Sequence, residues 1–191
     1  MSIYIGNEIL RALLVTCGKD HTDSALNGIQ VEHSTKYGVL LVSTDSHRLS
    51  IARVDYGGAD FDSFIMPRSM VDGAKGKSYY DDNIICDGNM VTLSHNGTNV
   101  SSLKINATYP AWRNVLSPDF TDDNVVINPQ HYGDLGKIRK LLGCDGGTTD
   151  LRTKEDGLCM DRISEDFVTY VMPMRRGRDY IKKSAPEWVK S

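Results

Sequence analysis

The stretch Thr44-Asp45-Ser46-His47-Arg48 is the one cluster of titratable groups in this chain that could support catalysis. An aspartate and a histidine two residues apart could form an acid–base pair, because side chains at i and i+2 of a strand point to the same face. No nucleophile lies between Asp45 and His47 on that face. The stretch therefore predicts a structural or binding role rather than a catalytic one.

Other motifs of catalytic or metal sites are missing from the sequence. It contains no Walker loop, no GxGxxG after a strand, no GxSxG and no HExxH. The acidic pairs Asp81-Asp82 and Asp122-Asp123 stand in turn-like contexts, where aspartate is favoured for its own backbone hydrogen bonds. We interpret both pairs as solvated turns, and we expect no enzyme activity, no cofactor and no bound metal.

Composition indicates a globular chain made in a reducing compartment. The 191 residues, 40% of them hydrophobic, suffice for one large domain or two small ones. No apolar run approaches the about 18 residues that span a bilayer, and the first eight residues do not resemble a signal peptide. The four cysteines are widely spaced, without a CxxC pair, which predicts buried free thiols. These cysteines are Cys17, Cys86, Cys144 and Cys159. We expect a cytoplasmic protein without a membrane partner.

Hydrophobic periodicity outlines a first unit over residues 1–117. A helix is predicted over 7–18, capped by Asn7 and ended by Gly18. Pro67 suits the start of a short second helix, and Pro110 makes the segment 109–116 irregular because proline cannot donate to a sheet ladder. Strands are predicted by apolar runs or by alternation of apolar and polar residues. They cover 26–32, 39–43, a segment through Ile51 and Val54, 64–66, 83–86, 90–94 and 100–105.

A second unit over residues 118–175 repeats this order in a shorter form. The pattern predicts a strand at 124–127, a helix at 129–142, and strands at 151–154, 158–163 and 167–172. We expect the basic tail 176–191 to be mobile, because its residues show no convincing period. The net charge is −3. Contact with DNA would therefore require basic groups gathered on one surface, with the acidic groups elsewhere.

Four short motifs occur in this chain in a characteristic order. They are Leu26-Asn27-Gly28 followed by Thr44-Asp45-Ser46-His47-Arg48-Leu49, then Phe64-Ile65-Met66-Pro67-Arg68, the segment 109–116, and Tyr170-Val171-Met172-Pro173-Met174-Arg175. They resemble LNG with TDGHRL, the strand and proline opening the second helix, the FPDYRRVLP exit and the C-terminal YVMPMRL of the bacterial DNA sliding clamp, the beta subunit of DNA polymerase III. The resemblance implies an α+β DNA-clamp (processivity) fold, with antiparallel sheets and helices on one face, followed by a truncated clamp-like unit.

The resemblance also implies a function. Clamps bind short apolar segments of DNA polymerase and other clients in a cleft between two domains. On residue types alone, a core position for Met172 and Met174 is favoured over such a surface. Ser46 and Asn114 replace a usual glycine and a common arginine, which bears on partner preference. Matched positions assign to the cleft Leu26, Thr44, Ser46, His47, Arg48, Leu49, Pro110, Val115, Val171, Met172 and Met174.

Double-stranded DNA is the second partner that the resemblance implies, contacted by basic helix residues without base readout. A solvated helix face would explain each of these residues as well. The loop 20–25 lacks the family's basic and aromatic contacts, which indicates weaker DNA binding. The basic residues that we expect to face DNA are Arg11, Lys19, Lys75, Lys77, Lys137, Arg139 and Lys140.

Two functional hypotheses follow from the resemblance. A ring on DNA would require this two-unit chain to form a trimer, and a clamp loader is a possible further partner. Alternatively, a monomeric adaptor or decoy would bind clamp clients or the host clamp and regulate replication without encircling DNA. Both require that residues near 26–49, 110–115 and 171–174 converge on one apolar groove.

Overall fold

The computed structural model describes residues 1–74, 81–116, 120–121, 127–144, 151–154 and 158–174. Helices are α1 Asn7–Thr16, α2 Arg68–Gly73 and α3 Pro129–Leu141, with short 3-10 helices at Ser24–Asn27 and Trp112–Val115. Strands are β1 Ser2–Ile5, β2 Gly28–Ser34, β3 Gly38–Thr44, β4 Arg48–Val54, β5 Phe64–Pro67, β6 Asp82–Asp87, β7 Met90–His95, β8 Thr98–Leu103, β9 Phe120–Thr121, β10 Leu151–Lys154, β11 Cys159–Arg162 and β12 Phe167–Val171.

Most predicted elements occur within one or two residues of their expected bounds, whereas β1 and β9 were not predicted. The strand expected at 124–127 lies, apart from Ile127, outside the described residues. The unit boundary at 117 and the tail 176–191 lie outside them as well. Within the described ranges, no helix has the length and apolar character needed to cross a membrane.

The strands form two antiparallel sheets. One has the order β1-β6-β7-β8, and the other has the order β5-β2-β3-β4-β12-β11-β10-β9. The pairing of β4 with β12 joins the early and late parts of the chain into a single eight-stranded sheet, with Leu49 opposite Tyr170 and Arg48 opposite Val171. The expected α+β class with antiparallel sheets is confirmed.

Alternation along the eight-stranded sheet separates two apolar faces. Its inner face, with Leu41 and Ala52, shares the main core with the four-stranded sheet and with helix residues such as Leu13 and Ile138. Its outer face forms a second cluster that includes Val42, Leu49, Trp112, Leu158 and Tyr170. The α-helices of the described residues therefore pack on the inner face of the large sheet, whereas the 3-10 helix Trp112–Val115 contributes Trp112 to the outer-face cluster.

The start of α1 differs from the sequence prediction. Gly6 takes the cap position, and Asn7 is the first helical residue, with a buried side chain. The Asn7 amide donates to Asp82 Oδ2 at 2.7 Å, and His95 Nδ1 lies 2.8 Å from Asp82 Oδ1. The interpretation of Asp82 as part of a solvated turn is therefore wrong, because this carboxylate is buried at the start of β6.

All four cysteines are free, as expected. Cys17 and Cys159 are buried, as predicted, whereas Cys86 and Cys144 are half-buried, so the predicted burial is wrong for these two. Burial raises the pKa of the Cys17 thiol to about 11, although the nearby Arg68 opposes this shift. Cys17 is therefore protonated at neutral pH and acts as a core residue rather than as a nucleophile.

Candidate functional site

The turn between β3 and β4 is held by its own side chains. Asp45 Oδ1 accepts the backbone N–H groups of His47 at 3.0 Å and of Arg48 at 2.8 Å. Thr44 Oγ1 donates to the Arg48 carbonyl at 2.6 Å and accepts from the Ser46 N–H at 3.1 Å. Asp45 thus binds the backbone and not the His47 ring, so the two residues do not form an acid–base pair.

Ser46 occupies a conformation that favours glycine. Its φ is +69°, in the left-handed region where a Cβ costs roughly 1 kcal/mol. The tight turn and this torsion give a physical reason why a glycine would be preferred at the position. The Ser46 side chain adds volume at the wall of the cavity described next.

A largely apolar cavity of about 420 Å³ lies on the outer face of the large sheet, and we call it the outer-face cleft. Its volume falls within the range of roughly 300–1,000 Å³ that is usual for ligand pockets. Its walls come from the loop before β2, the β3–β4 turn with the start of β4, the segment after Tyr109, the residue before β11, and the end of β12 with the residue that follows it. It is lined by His21, Asp23, Leu26, Thr44, Ser46, Arg48, Leu49, Pro110, Ala111, Trp112, Val115, Leu158, Tyr170 and Met172.

The wall formed by residues 110–115 is fastened to the sheet on both sides. Tyr109 donates its hydroxyl to the Val42 carbonyl at 3.1 Å, and burial raises the pKa of Tyr109 far above its usual value, so the hydroxyl stays protonated. Arg113 forms an ion pair with Glu32 and lies over the Trp112 ring at 4.1 Å. These contacts keep Trp112 against the outer face.

The opposite wall depends on Asn27. Its side chain accepts the His21 N–H at 2.7 Å and donates to the His21 carbonyl at 2.8 Å, which closes the loop before β2. Within this loop, Asp23 accepts the Ala25 N–H at 3.0 Å and caps the 3-10 helix that carries Leu26. His21 and Asp23 are consequently brought to the cleft.

The structure brings most of the expected cleft residues together, through the β4–β12 pairing and a hydrogen bond from the Met172 N–H to the His47 carbonyl at 2.8 Å. Three expected residues do not line the cleft. Val171 is fully buried on the inner face beside Leu135, because it points opposite to Tyr170. The His47 ring faces α3, and Met174 is half exposed outside the cavity. The expected residues that do line the cleft are Leu26, Thr44, Ser46, Arg48, Leu49, Pro110, Val115 and Met172.

Several lining residues were not predicted. Tyr170 and Leu158 point outward next to inward residues of β12 and β11, so strict alternation from Val171 would have identified Tyr170. Trp112 and Ala111 belong to the motif that carries Pro110 and Val115, and they could have been included with it. By contrast, the polar loop 20–25 gives no sequence signal of its place. The missed residues are His21, Asp23, Ala111, Trp112, Leu158 and Tyr170.

Arg48 joins the cleft to α3 through an ion-pair network. Its Nε and Nη2 atoms donate to Asp45 Oδ2 at 3.0 and 2.5 Å, and Nη1 donates to Asp134 on α3. Asp134 also accepts from Lys137 Nζ at 2.5 Å. Burial alone would raise the pKa of Asp45, but the Arg48 hydrogen bond and charge outweigh it and hold that pKa below its usual value.

A second depression, on the other side of the β3–β4 turn, is more polar. It encloses about 600 Å³, and Arg48, Lys19, Lys137 and Arg68 are among its lining residues. Near it, the rings of His47 and His131 stack with centroids 5.8 Å apart. His131 Nδ1 is buried and has no hydrogen-bond partner within the described part of the chain.

We expect His131 to resist protonation. Burial lowers its pKa below the ordinary value of 6.5, and the positive charge of Arg48 adds to this effect. The unfolded chain therefore binds a proton at His131 before the folded chain does, so the unfolding free energy falls as the pH drops below 6.5. Imidazole ¹H–¹⁵N NMR spectra, assigned with a His131→Gln variant, should show titration below 6.5. Titration at or above 6.5 would contradict this expectation.

The DNA-facing candidates are divided by their burial. Arg11, Lys19, Lys137 and Lys140 are exposed on or next to α1 and α3, which pack together on the side of the sheet opposite the outer-face cleft. Lys75 and Lys77 lie outside the described residues. The expectation for Arg139 is wrong. Its side chain is buried and paired with Asp161 of β11, so it cannot reach a phosphate.

A known family matches the first part of the chain. The family model for the DNA polymerase III beta subunit, central domain, matches residues 7–111, which is more than half of the 191 residues. This chain belongs to that family. The match includes α1, the β3–β4 turn and the beginning of the wall formed by residues 110–115. The resemblance suggested by the short motifs is confirmed. A comparison with curated protein sequences finds no significant match.

Solved clamp structures share the fold at low sequence identity. The DNA polymerase III subunit beta of Borrelia burgdorferi, in complex with a natural product, superposes with a TM-score of 0.68 at 14% identity over 93% of this chain and 63% of that one. The Thermotoga maritima beta subunit gives 0.68 at 15% identity, over 93% and 66%. The Helicobacter pylori beta clamp, bound to a DNA ligase peptide, gives 0.68 at 13%, over 92% and 66%. This chain therefore spans less than two thirds of these clamps.

Proposed function

We propose that this chain is a sliding-clamp-like processivity factor that tethers DNA polymerase or other clients through the outer-face cleft. The observation that carries the proposal is the convergence of three segments, far apart in the chain, on one apolar cavity. Most of its wall is apolar, and the lining residues Leu49, Trp112 and Tyr170 have buried side chains. A short segment with adjacent leucine or aromatic side chains would bury them there, which is the main source of affinity in such grooves.

Comparison with a clamp complex supports the same proposal. The Helicobacter pylori beta clamp, which shares this fold, has been solved with a DNA ligase peptide. In the present chain Leu26, Leu49 and Met172 surround an open cavity, and we propose that a peptide binds there. We infer that residues 1–117 form a clamp-like unit and that 118–175 form a shorter one, with the cleft at their β4–β12 junction.

Fluorescence anisotropy tests the cleft directly. The probe is a capped, uncharged hexapeptide with two leucines, one phenylalanine and at least one serine, labelled with fluorescein. We expect saturable binding to the full chain and competition by the unlabelled peptide. A control hexapeptide in which glycine separates the same apolar residues should compete poorly, because it cannot place adjacent side chains in one cavity. Failure of the first peptide to bind would refute the proposed cleft function.

DNA contact is proposed for the helix side of the large sheet. There Arg11, Lys19, Lys137 and Lys140 are exposed, on the face opposite the cleft. Such an arrangement would let the protein touch phosphates with one surface and hold a client with the other. The net charge of −3 makes this local concentration of basic groups necessary.

The double variant Lys19→Gln with Lys140→Gln should weaken DNA retention for every sequence tested. Each lost phosphate contact should reduce the slope of log affinity against log salt by about 1. The measurement is elution from closed circular DNA at increasing salt. Lys36→Gln with Lys104→Gln makes the same charge change outside the helices and should leave the slope unchanged. Equal effects of both pairs would contradict a helix-side DNA surface.

The size of the protein in solution distinguishes two forms of this function. A trimer retained on closed circular DNA and released by linearisation would support a ring. A monomer that binds the peptide but not DNA would act instead as an adaptor or decoy for clamp clients. Sedimentation at micromolar concentration, with and without circular DNA, separates these outcomes.

A further inference from the structure

Arg48 lines the outer-face cleft, yet its charge is directed elsewhere. All three guanidinium nitrogens donate to carboxylates, two to Asp45 and one to Asp134. The side chains are largely shielded, with 12% of Arg48 and 17% of each aspartate exposed. Charges paired in this way interact more strongly than exposed pairs. The aliphatic part of Arg48 is therefore what remains for an occupant of the cleft to touch.

The two carboxylates have different roles. Asp45 also accepts two backbone N–H groups of the β3–β4 turn, so its removal would disturb the turn itself. Asp134 lies on α3, 86 residues along the chain from Arg48, and its other contact is with Lys137. The neighbouring Leu135 is buried against the inner face of the sheet, which fixes the helix that carries Asp134.

We infer that Asp134 is a positioning residue for the cleft, which holds the Arg48 guanidinium toward α3 so that an uncharged surface faces the peptide. This inference rests on the proposed function. In this arrangement Asp134, in the later part of the chain, determines whether the charge of Arg48, in the earlier part, faces the cleft. It also predicts specificity: while Asp134 holds Arg48, an uncharged segment binds best. Without Asp134, the Nε and Nη2 atoms of Arg48 remain bound to Asp45, and the freed Nη1 attracts a carboxylate on the peptide.

The test compares Asp134→Asn with the unaltered full chain on two labelled hexapeptides. One is the uncharged leucine–phenylalanine peptide described above, and the other carries aspartate in place of its serine. In this variant Arg48 Nη1 loses its charged acceptor, and covering that donor with an uncharged peptide removes its water, so binding of this peptide should weaken about tenfold. The acidic peptide should lose less or gain, so the ratio of the two affinities changes. Asp134→Glu, which keeps the charge, should restore the original ratio.

Asp166→Asn is the matched control. Asp166 pairs with Arg53 at the other end of β4, across the same junction with β12, and neither residue lines the cleft. This variant should bind both peptides as the unaltered chain does. Unchanged binding by Asp134→Asn, or an equal loss in both variants, would overturn the inference. If the unaltered chain binds neither peptide, the proposed function fails first, and the inference fails with it.

Discussion

Replacing Leu49 and Met172 together with alanine is expected to abolish detectable binding of the leucine–phenylalanine peptide. The two side chains approach the cleft from β4 and from the end of β12. Truncating two central apolar contacts of a binding site costs at least about a hundredfold in affinity, because each such contact is worth about 2 kcal/mol. Anisotropy titration of the full chain measures this loss.

A matched pair of substitutions controls for the change in residue type. Met90 and Leu103 face each other across β7 and β8 of the four-stranded sheet and are exposed by 44% and 58%. Their replacement by alanine should leave peptide binding unaltered. If both double variants bind as the unaltered chain does, the outer-face cleft is not the peptide site.

Stability must be separated from binding in this experiment. Leu49 is buried, so its truncation alone should cost about 2–4 kcal/mol of unfolding free energy. A second double variant, Met172→Ala with Val115→Ala, avoids this cost because both side chains are partly exposed, by 38% and 40%. This variant should keep the melting temperature of the unaltered chain and still bind the peptide with severely reduced affinity. Normal affinity in this variant would count against the cleft even if the first variant unfolds.

Local patterns were sufficient for most elements of the fold. In β3, Val39 and Leu41 face the main core while Leu40 and Val42 face outward, and this apolar run predicted a strand correctly. The short strand β1 was missed although Ile3 and its neighbours alternate, because four residues beside a chain end give a weak pattern. The elements were predictable because each depends on neighbours in sequence.

The pairing of β4 with β12 had no local signal. Nothing in the residues around Leu49 indicates that Tyr170 lies opposite, because strand pairing between distant segments depends on the whole sheet. The motif resemblance supplied the convergence that periodicity could not. It also introduced the error at Val171, because a motif transfers a run of residues, whereas a strand directs adjacent side chains to opposite faces.

Arg139 shows a similar limit on the helix. It lies four residues after Leu135 and next to Ile138, so helical geometry places it beside the buried stripe. Its charge suggested a solvent-facing or DNA-facing role instead. The deciding fact is its partner, Asp161 on β11, and that partner cannot be identified from the helix sequence. Burying an arginine costs little stability only when its charge is paired with a carboxylate.

Truncating Arg139 should therefore destabilise the protein strongly, with a loss of about 3–5 kcal/mol, because it leaves the Asp161 carboxylate buried without its cation. Asp161 is 1% exposed, and Arg139 donates to it through both Nε and Nη2. Urea denaturation of Arg139→Ala measures the change in unfolding free energy. Asp166→Asn, which removes an ion pair exposed by 42% and 50%, should cost less than about 1 kcal/mol.

A compensating pair shows whether the charge or the packing is responsible. Arg139→Met with Asp161→Leu replaces both charges with apolar groups of similar size, and buried ion pairs tolerate such replacement with little loss. This double variant should recover most of the stability that Arg139→Ala loses, and its DNA retention should match that of the unaltered chain. A double variant as unstable as the single one would mean that the pair fixes α3 on β11 through its geometry. A double variant that keeps its stability but loses DNA retention would indicate that Arg139 contacts DNA, although its side chain is buried in this structure.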